Sequence, residues 1–276
     1  MSDLASSIGM ELSAPREGEA GSVVTLRAPA GLCGPPGVLQ GGLSAGLALL
    51  AVGRVTGEDV VSGSLRARLH LPTPLEEELE VVVSPGAAGR EHEVRTMVAG
   101  QPAMTATVSS GRPHGDLDDR GLVELATVPL PTPEDQTMTP TCWGCGDGPM
   151  QPDGLRLVPA WHGPDAVCVR LAPTSTHTRP DGALDPLTVA AALDCPTLWA
   201  AIGHVRARGD ATGLLGGYHL DLHRPVPADR ALRVVARADA PDGRKLRTRG
   251  ALVDEEGTVF AVSNALHVSV PRMPGT

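Results

Sequence analysis

Aromatic side chains are nearly missing from this 276-residue chain: one Phe, one Tyr and three Trp make 2% of it, and none precedes Trp143. A core without rings must be filled by Val, Leu and Ala, and a pocket that stacks an aryl group has little to draw on. Lysine is almost as scarce, Lys245 being the only one. The arginines are scattered and the net charge is −9, so no basic stripe offers itself to nucleic acid. Long apolar runs are lacking too: none reaches the roughly 20 residues that span a bilayer. The opening Met1-Ser2-Asp3-Leu4-Ala5 does not follow the basic-then-apolar order of a signal peptide. The expectation is a soluble, cytoplasmic protein with no membrane partner. Its five cysteines (Cys33, Cys142, Cys145, Cys168, Cys195) are an odd number, which in the cytosol predicts reduced thiols and no disulfide framework.

What the chain does have is an internal repeat. Residues 69–83 read Leu-His-Leu-Pro-Thr-Pro-Leu-Glu-Glu-Glu-Leu-Glu-Val-Val-Val, and 222–236 read Leu-His-Arg-Pro-Val-Pro-Ala-Asp-Arg-Ala-Leu-Arg-Val-Val-Ala. His70 answers to His223, Pro72 to Pro225, Pro74 to Pro227 and Leu79 to Leu232, without a gap. A glycine turn, a strand-like run, a second turn and a closing strand follow each copy. A tandem duplication of one small domain is predicted.

Each copy reads as a strand, an apolar helix and about four further strands. Ser22 to Pro29 suits the first strand, and Val38 to Val52, rich in Ala and Leu and ended by Gly53, suits a helix buried on all sides. Val60 to Ser110 alternates strands with turns, as an antiparallel meander would. Residues 113–140 carry Pro113, the acids Asp116, Asp118 and Asp119 and a Pro-rich run at 129–135, which marks a linker. The expected division is thus an N-terminal domain over 1–112, a linker over 113–140 and a C-terminal domain over 141–276, with the second helix at about Pro186 to Gly203.

An antiparallel sheet wrapped around one long apolar helix resembles the hotdog fold, and two stretches make the resemblance specific. Gly37-Val38-Leu39-Gln40-Gly41-Gly42, leading into the apolar helix, is similar to the Gly-Val-Val-His-Gly-Gly signature of acyl-CoA thioesterases of the phenylacetate-pathway type, with Gln40 in place of His. Cys142-Trp-Gly-Cys145-Gly with Gly154-Leu-Arg-Leu, followed by Ala191-Ala192-Leu193-Asp194-Cys195-Pro196, is similar to actinobacterial hotdog proteins labelled thioesterase-like. The resemblance implies an α+β chain, a double hotdog in which two joined units reproduce the dimer of single-hotdog members. It also implies an active site where the Gly-Gly helix start of one unit meets an acid on the central helix of the other.

The chemistry of that arrangement is general. Free N–H groups at a helix N-terminus, backed by the helix dipole, bind a developing oxyanion. A carboxylate opposite serves as general base or nucleophile. The family signature sets the acid nine residues after its His. Nine beyond Gln40 stands Leu49, which is inert; nine before Asp194 stands Asp185, followed by Pro186 where a glycine amide is wanted, and Pro has no N–H. One complete site is therefore expected, composed of Gln40, Gly41 and Gly42 from the first half and Asp194 from the second, and the reciprocal pairing of Leu49 with Pro186 is expected to be dead. An unpaired carboxylate amid Ala and Leu would cost several kcal/mol, which favours a role for Asp194. Gly41 and Gly42 have a plainer reading as a site of close helix packing. Pro196 is expected to kink or restart its helix, and Thr197 to position a water.

Other residues invite weaker readings. Arg66, Arg68 and Arg224, with Arg244 and Lys245, are candidates for the phosphates of coenzyme A. Cys142-x-x-Cys145 is read as a tight turn rather than a zinc site, because His162 and His177 do not supply finger spacing. His70 and His223 are read as scaffold. The leading expectation is hydrolysis of acyl thioesters of coenzyme A or of an acyl carrier protein, with the pantetheine belonging to the substrate and no separate cofactor or metal. The alternatives are a hydratase or dehydratase on enoyl or hydroxyacyl thioesters, whose Asp-x-Asn-Pro-Leu-His segment is matched by Asp185-Pro-Leu187 only up to Thr188, and a non-catalytic acyl-thioester binder. Two units in one chain already form an internal pseudo-dimer; whether chains associate further is left open.

Overall fold

The structure, a computed structural model, describes residues 8–58, 60–87, 89–111, 113–115, 117, 121–130, 139–146 and 151–273. Asp116, Asp118, Asp119 and the run 131–135 of the expected linker lie outside them.

Three strands, β1 (Glu11–Leu12), β2 (Arg16–Gly18) and β3 (Gly21–Arg27), precede helix α1 (Gly41–Thr56). Then come β4 (Gly63–Leu69), β5 (Glu78–Pro85), β6 (Glu91–Val98) and β7 (Gln101–Ser110), and a short helix α2 (Leu122–Thr127). The second half holds β8 (Ala160–Trp161), β9 (Ala166–Leu171), helices α3 (Pro186–Ala200) and α4 (Ile202–Ala207), and β10 (Thr212–Leu222), β11 (Leu232–Ala238), β12 (Lys245–Asp254) and β13 (Val259–Val270). All strands pair antiparallel in one sheet of order β1-β3-β5-β6-β7-β4-β10-β13-β12-β11-β9-β8, with β2 on β3.

The order displays the duplication. Outward from the centre, β4-β7-β6-β5-β3 in one half is answered by β10-β13-β12-β11-β9 in the other. The halves meet where β4 pairs with β10 from Gly63↔Leu222 to Arg68↔Gly217. Equivalent prolines sit at equivalent bridges, Pro74 against Val38 and Pro227 against Ala183. The region from Val60 is not a plain meander, however. β5, β6 and β7 follow one another, but β4 lies beyond β7, on the opposite side from β5. The connection through Pro72 and Pro74 cannot make a ladder-bonded hairpin, since neither proline has an N–H to donate.

Each half-sheet wraps one helix. In α1 the residues Leu43, Ala45, Leu47 and Ala48 are fully buried, and α3 exposes almost nothing from Pro186 to Ala200. Each buried Leu of this kind contributes about 2–5 kcal/mol by its truncation cost. The helices cross at small residues. A Cβ on Gly42 would stand 2.4 Å from the Ala190 carbonyl oxygen, and one on Gly46 2.5 Å from Leu187 Cδ1. The close-packing reading of Gly42 therefore holds whatever else it does. Helix α1 runs past Gly53, which is buried within it, and stops at Gly57, whose φ of 78° gives the left-handed cap. Helix α3 likewise passes through Pro196 unbroken, ending at Ala200 rather than Gly203.

The linker region is less open than its composition suggests. Helix α2 lays Leu122, Leu125 and Ala126 on the outer face of the second half-sheet, against Cys168, Val235 and Ala251, which alternate with the inward-facing Val169, Val234 and Leu252. Arg233 closes the end of α2 by donating to the carbonyls of Ala126 (2.6 Å) and Val128 (2.9 Å). The segment 139–146 then returns to the first half, where Trp143 N–H donates to the Cys33 carbonyl at 2.7 Å. Among the described residues no helix is long and apolar enough to cross a membrane.

Candidate active site

Two N-caps set the register. Gln40 caps α1, its side-chain oxygen accepting from Leu43 N–H at 2.8 Å, and Asp185 caps α3 by accepting from Leu187 N–H at 2.9 Å. Gln40 and Asp185 thus hold the same place in the two halves, and Leu49 and Asp194, nine residues on, do as well. The antiparallel crossing of the helices carries Asp194 to the start of α1.

There Asp194 Oδ2 accepts from Gln40 Nε2 at 2.7 Å and from Gly42 N–H at 3.0 Å. Gly41 is so close that a Cβ on it would lie 2.9 Å from the same oxygen. The carboxyl group, 8% exposed, sits at the positive end of a 16-residue helix from the other half, with two direct donors. No Arg or Lys is needed to explain its burial. The other oxygen, Oδ1, stands 3.3 Å from Nε2 of His267 on β13. His267 is fully buried, and its Nδ1 has no hydrogen-bond partner among the described residues.

Gln40, Gly41, Asp194 and His267 line a cavity of about 300 Å³ together with Ser44, Leu215 and Trp199. Gly41 opens onto it, and its N–H, the first of α1, has no protein acceptor among the described residues. Tyr218, whose hydroxyl donates to the Ala190 carbonyl at 2.9 Å, is held well above the usual phenol value by burial, with the Asp194 charge adding to the shift. Beside Gln40 and Asp194, Cys142, Cys145 and Cys195 gather at the same cavity. Cys142 and Cys195 are 3.7 Å apart, sulfur to sulfur, and the Gln40 amide lies 3.7 Å from Cys195 Sγ. Thiol hydrogen bonds from Cys145 and Cys195 push the Cys142 thiol down, and the other two are pushed up by the same exchange and by burial.

The structure thus brings Gln40, Gly41, Gly42 and Asp194 together across the two halves. It does not bring the arginines. Arg66 and Arg68 alternate with the inward residues of β4 and face away from the helices, Arg66 lying 3.3 Å from His219 Nε2. Arg224 lines a separate surface cleft with Phe260 and Arg230, and Arg244 Nε donates to the Ser269 carbonyl at 2.8 Å. None of these four lines the cavity. Thr197, fully buried, donates its hydroxyl to the Asp194 carbonyl at 2.7 Å and is not among the lining residues, which leaves it no water to position. His70 donates its backbone N–H to Ala103 and His223 its own to Phe260, equivalent backbone bonds in the two halves, and His70 also lines the cavity. Sequence reasoning missed His267, because nothing in Val259 to Val270 marks one position as lying opposite Asp194; its only signal is a lone histidine at an inward strand position.

No family model and no curated protein matches this chain. Solved structures do. A protein from Novosphingobium aromaticivorans assigned as a thioesterase aligns with a TM-score of 0.65 at 22% identity, over 93% of this chain and 98% of its own. A protein from Alicyclobacillus acidocaldarius described as having the hot dog fold aligns with a TM-score of 0.61 at 13% identity, over 95% and 96%. This chain has a hotdog fold. A dehydratase domain of a mycocerosic acid synthase-like polyketide synthase aligns equally well, with a TM-score of 0.66 at 15% identity over 95% of both chains. At these identities the hotdog likeness speaks for the fold alone, and the choice between reactions rests on the site.

Proposed function

We propose that this hotdog chain hydrolyses acyl thioesters, with coenzyme A or a carrier-protein pantetheine as leaving group, at the single composite site of Asp194 and the α1 start. The observation that carries the reading is the Gly42 and Gln40 donors of one half holding the Asp194 carboxylate of the other at the wall of a cavity. The roles divide as follows. Gln40 and Gly42 hold the Asp194 carboxyl in place, and the unused Gly41 N–H, with the helix dipole behind it, receives the thioester oxygen. Asp194 takes a proton from water as the water oxygen bonds to the carbonyl carbon. The oxyanion then collapses, the C–S bond breaks, and the Asp194 proton passes to the departing sulfur. Acid and free thiol are the products.

One observation favours a second reading. His267 Nε2 at 3.3 Å from Asp194 Oδ1 pairs a base with an acid in the cavity, which is what removing an α-proton and protonating a β-hydroxyl requires. In this reading His267, on strand β13, takes the part of the histidine absent after Leu187. A panel of short, long, branched and aryl acyl-CoAs separates the two. Thiol release supports hydrolysis; a change in enoyl-thioester absorbance without thiol supports dehydration; binding with neither leaves an acyl-thioester binder.

A further inference from the structure

Cys142 and Cys145 come from the segment that follows the linker, and Cys195 from the middle of α3, yet their sulfur atoms all lie within 4.8 Å of one another. The Cys142–Cys195 separation is 3.7 Å. Thiolates bound to one tetrahedral zinc at about 2.3 Å stand about 3.8 Å apart, so one edge already has that length and the others need close by about 1 Å at most. The turn between the first two thiols is shaped to the third. Gly146 N–H donates to the Cys142 carbonyl at 2.6 Å, and a Cβ on Gly144 would lie 2.7 Å from Cys195 Sγ. Gly144 also accepts Leu157 N–H at 3.0 Å, which anchors the turn to the chain beyond it.

We propose that Cys142, Cys145 and Cys195 bind a zinc ion as three thiolates, with the fourth coordination position open to the cavity that holds Asp194. Three soft sulfur donors in a compact triangle select zinc over magnesium, calcium or manganese, which take oxygen ligands. Binding displaces the thiol protons to solvent and fastens segment 139–146 to the helix that carries the acid. A Cys-x-x-Cys pair lacking finger-spaced histidines has its third ligand 50 residues on, beside Asp194. The site stands independently of the hydrolase reading, since it requires no turnover.

The test is titration of the reduced, metal-stripped full chain with cobalt(II) and then zinc(II). One equivalent of cobalt should give a thiolate-to-metal charge-transfer band and intense tetrahedral visible bands, both bleached by zinc. Cys142→Ser, Cys145→Ser and Cys195→Ala should each weaken binding more than about a hundredfold, the limit reached by losing outer partners alone, whereas Cys168→Ala should not. If a variant fails to fold, alkylation of the native wild-type chain decides: zinc should shield three thiols, with Cys33 and Cys168 unaffected. Absence of stoichiometric cobalt binding by the reduced wild type, or zinc protection of none of the three, overturns the proposal.

Discussion

The Gly42 amide, on the first half of the chain, donates to the Asp194 carboxylate, on the second, at 3.0 Å. One hydrogen bond thus joins the start of one central helix to the middle of the other. The halves differ at the matching positions: Leu49 stands in the first where Asp194 stands in the second, and Pro186 in the second where Gly41 stands in the first.

The two glycines separate packing from chemistry. A Cβ at Gly42 meets the Ala190 backbone at 2.4 Å, which cannot give, so Gly42→Ala should lose about 1–3 kcal/mol or more in denaturant unfolding. A Cβ at Gly41 meets Asp194 Oδ2, the end of a side chain, and Leu215 Cβ, each at 2.9 Å. Gly41→Ala should therefore cost less stability than Gly42→Ala, while turnover falls by up to about a hundredfold, the cost of a displacement near 1 Å.

Gln40 is both cap and donor. Gln40→Ala removes both, and should lower stability by about 0.5–2 kcal/mol as well as turnover. Gln40→Glu keeps an acceptor for Leu43 N–H but sets a second carboxylate against Asp194, raising the folded pKa of the pair. Its stability should fall as pH rises through the carboxylate range, where a pair sharing one proton must ionise. Denaturant midpoints measured across that range check both variants.

Acid stability should depend on the seam between the halves. Burial alone would raise the Asp221 pKa, but hydrogen bonds from His219, Ser64 and the Gly115 N–H outweigh it and bring it down to about 2 from 3.8. A depressed folded pKa means stability that is present above the unfolded pKa and lost as pH falls through the folded one. The wild type should lose about 2 kcal/mol between roughly pH 4 and pH 2 from this group. Asp221→Asn should be less stable at neutral pH and show a flatter acid limb in urea unfolding.

Much of this was legible in the sequence for physical reasons. The gapless match of His70-x-Pro72-x-Pro74 with His223-x-Pro225-x-Pro227 reports bridges that each half must make. The Gln40/Asp185 register followed from counting, because both residues cap helices of the same phase. What the sequence concealed was long-range. Gly53 reads as a stop, yet it is buried within α1, which runs on to its cap at Gly57. Arg66 and Arg68 look available, but the period of a strand turns them away from the cavity. The linker composition hid α2, whose buried Leu122, Leu125 and Ala126 find a partner only on the outer face of the folded sheet. His267 and the Cys195 contact to Cys142 join positions 73 and 53 residues from their partners, a separation that no local pattern records.

The most direct measurement is acyl-CoA thiol release by the wild type and Asp194→Asn, with acyl-CoA binding measured on both. Asparagine preserves shape and can still accept from Gly42 N–H, but cannot take a proton from water. Release should fall by about 10²–10⁴-fold, the contribution of a positioned general base, with binding retained. Undiminished release by Asp194→Asn would contradict the composite site.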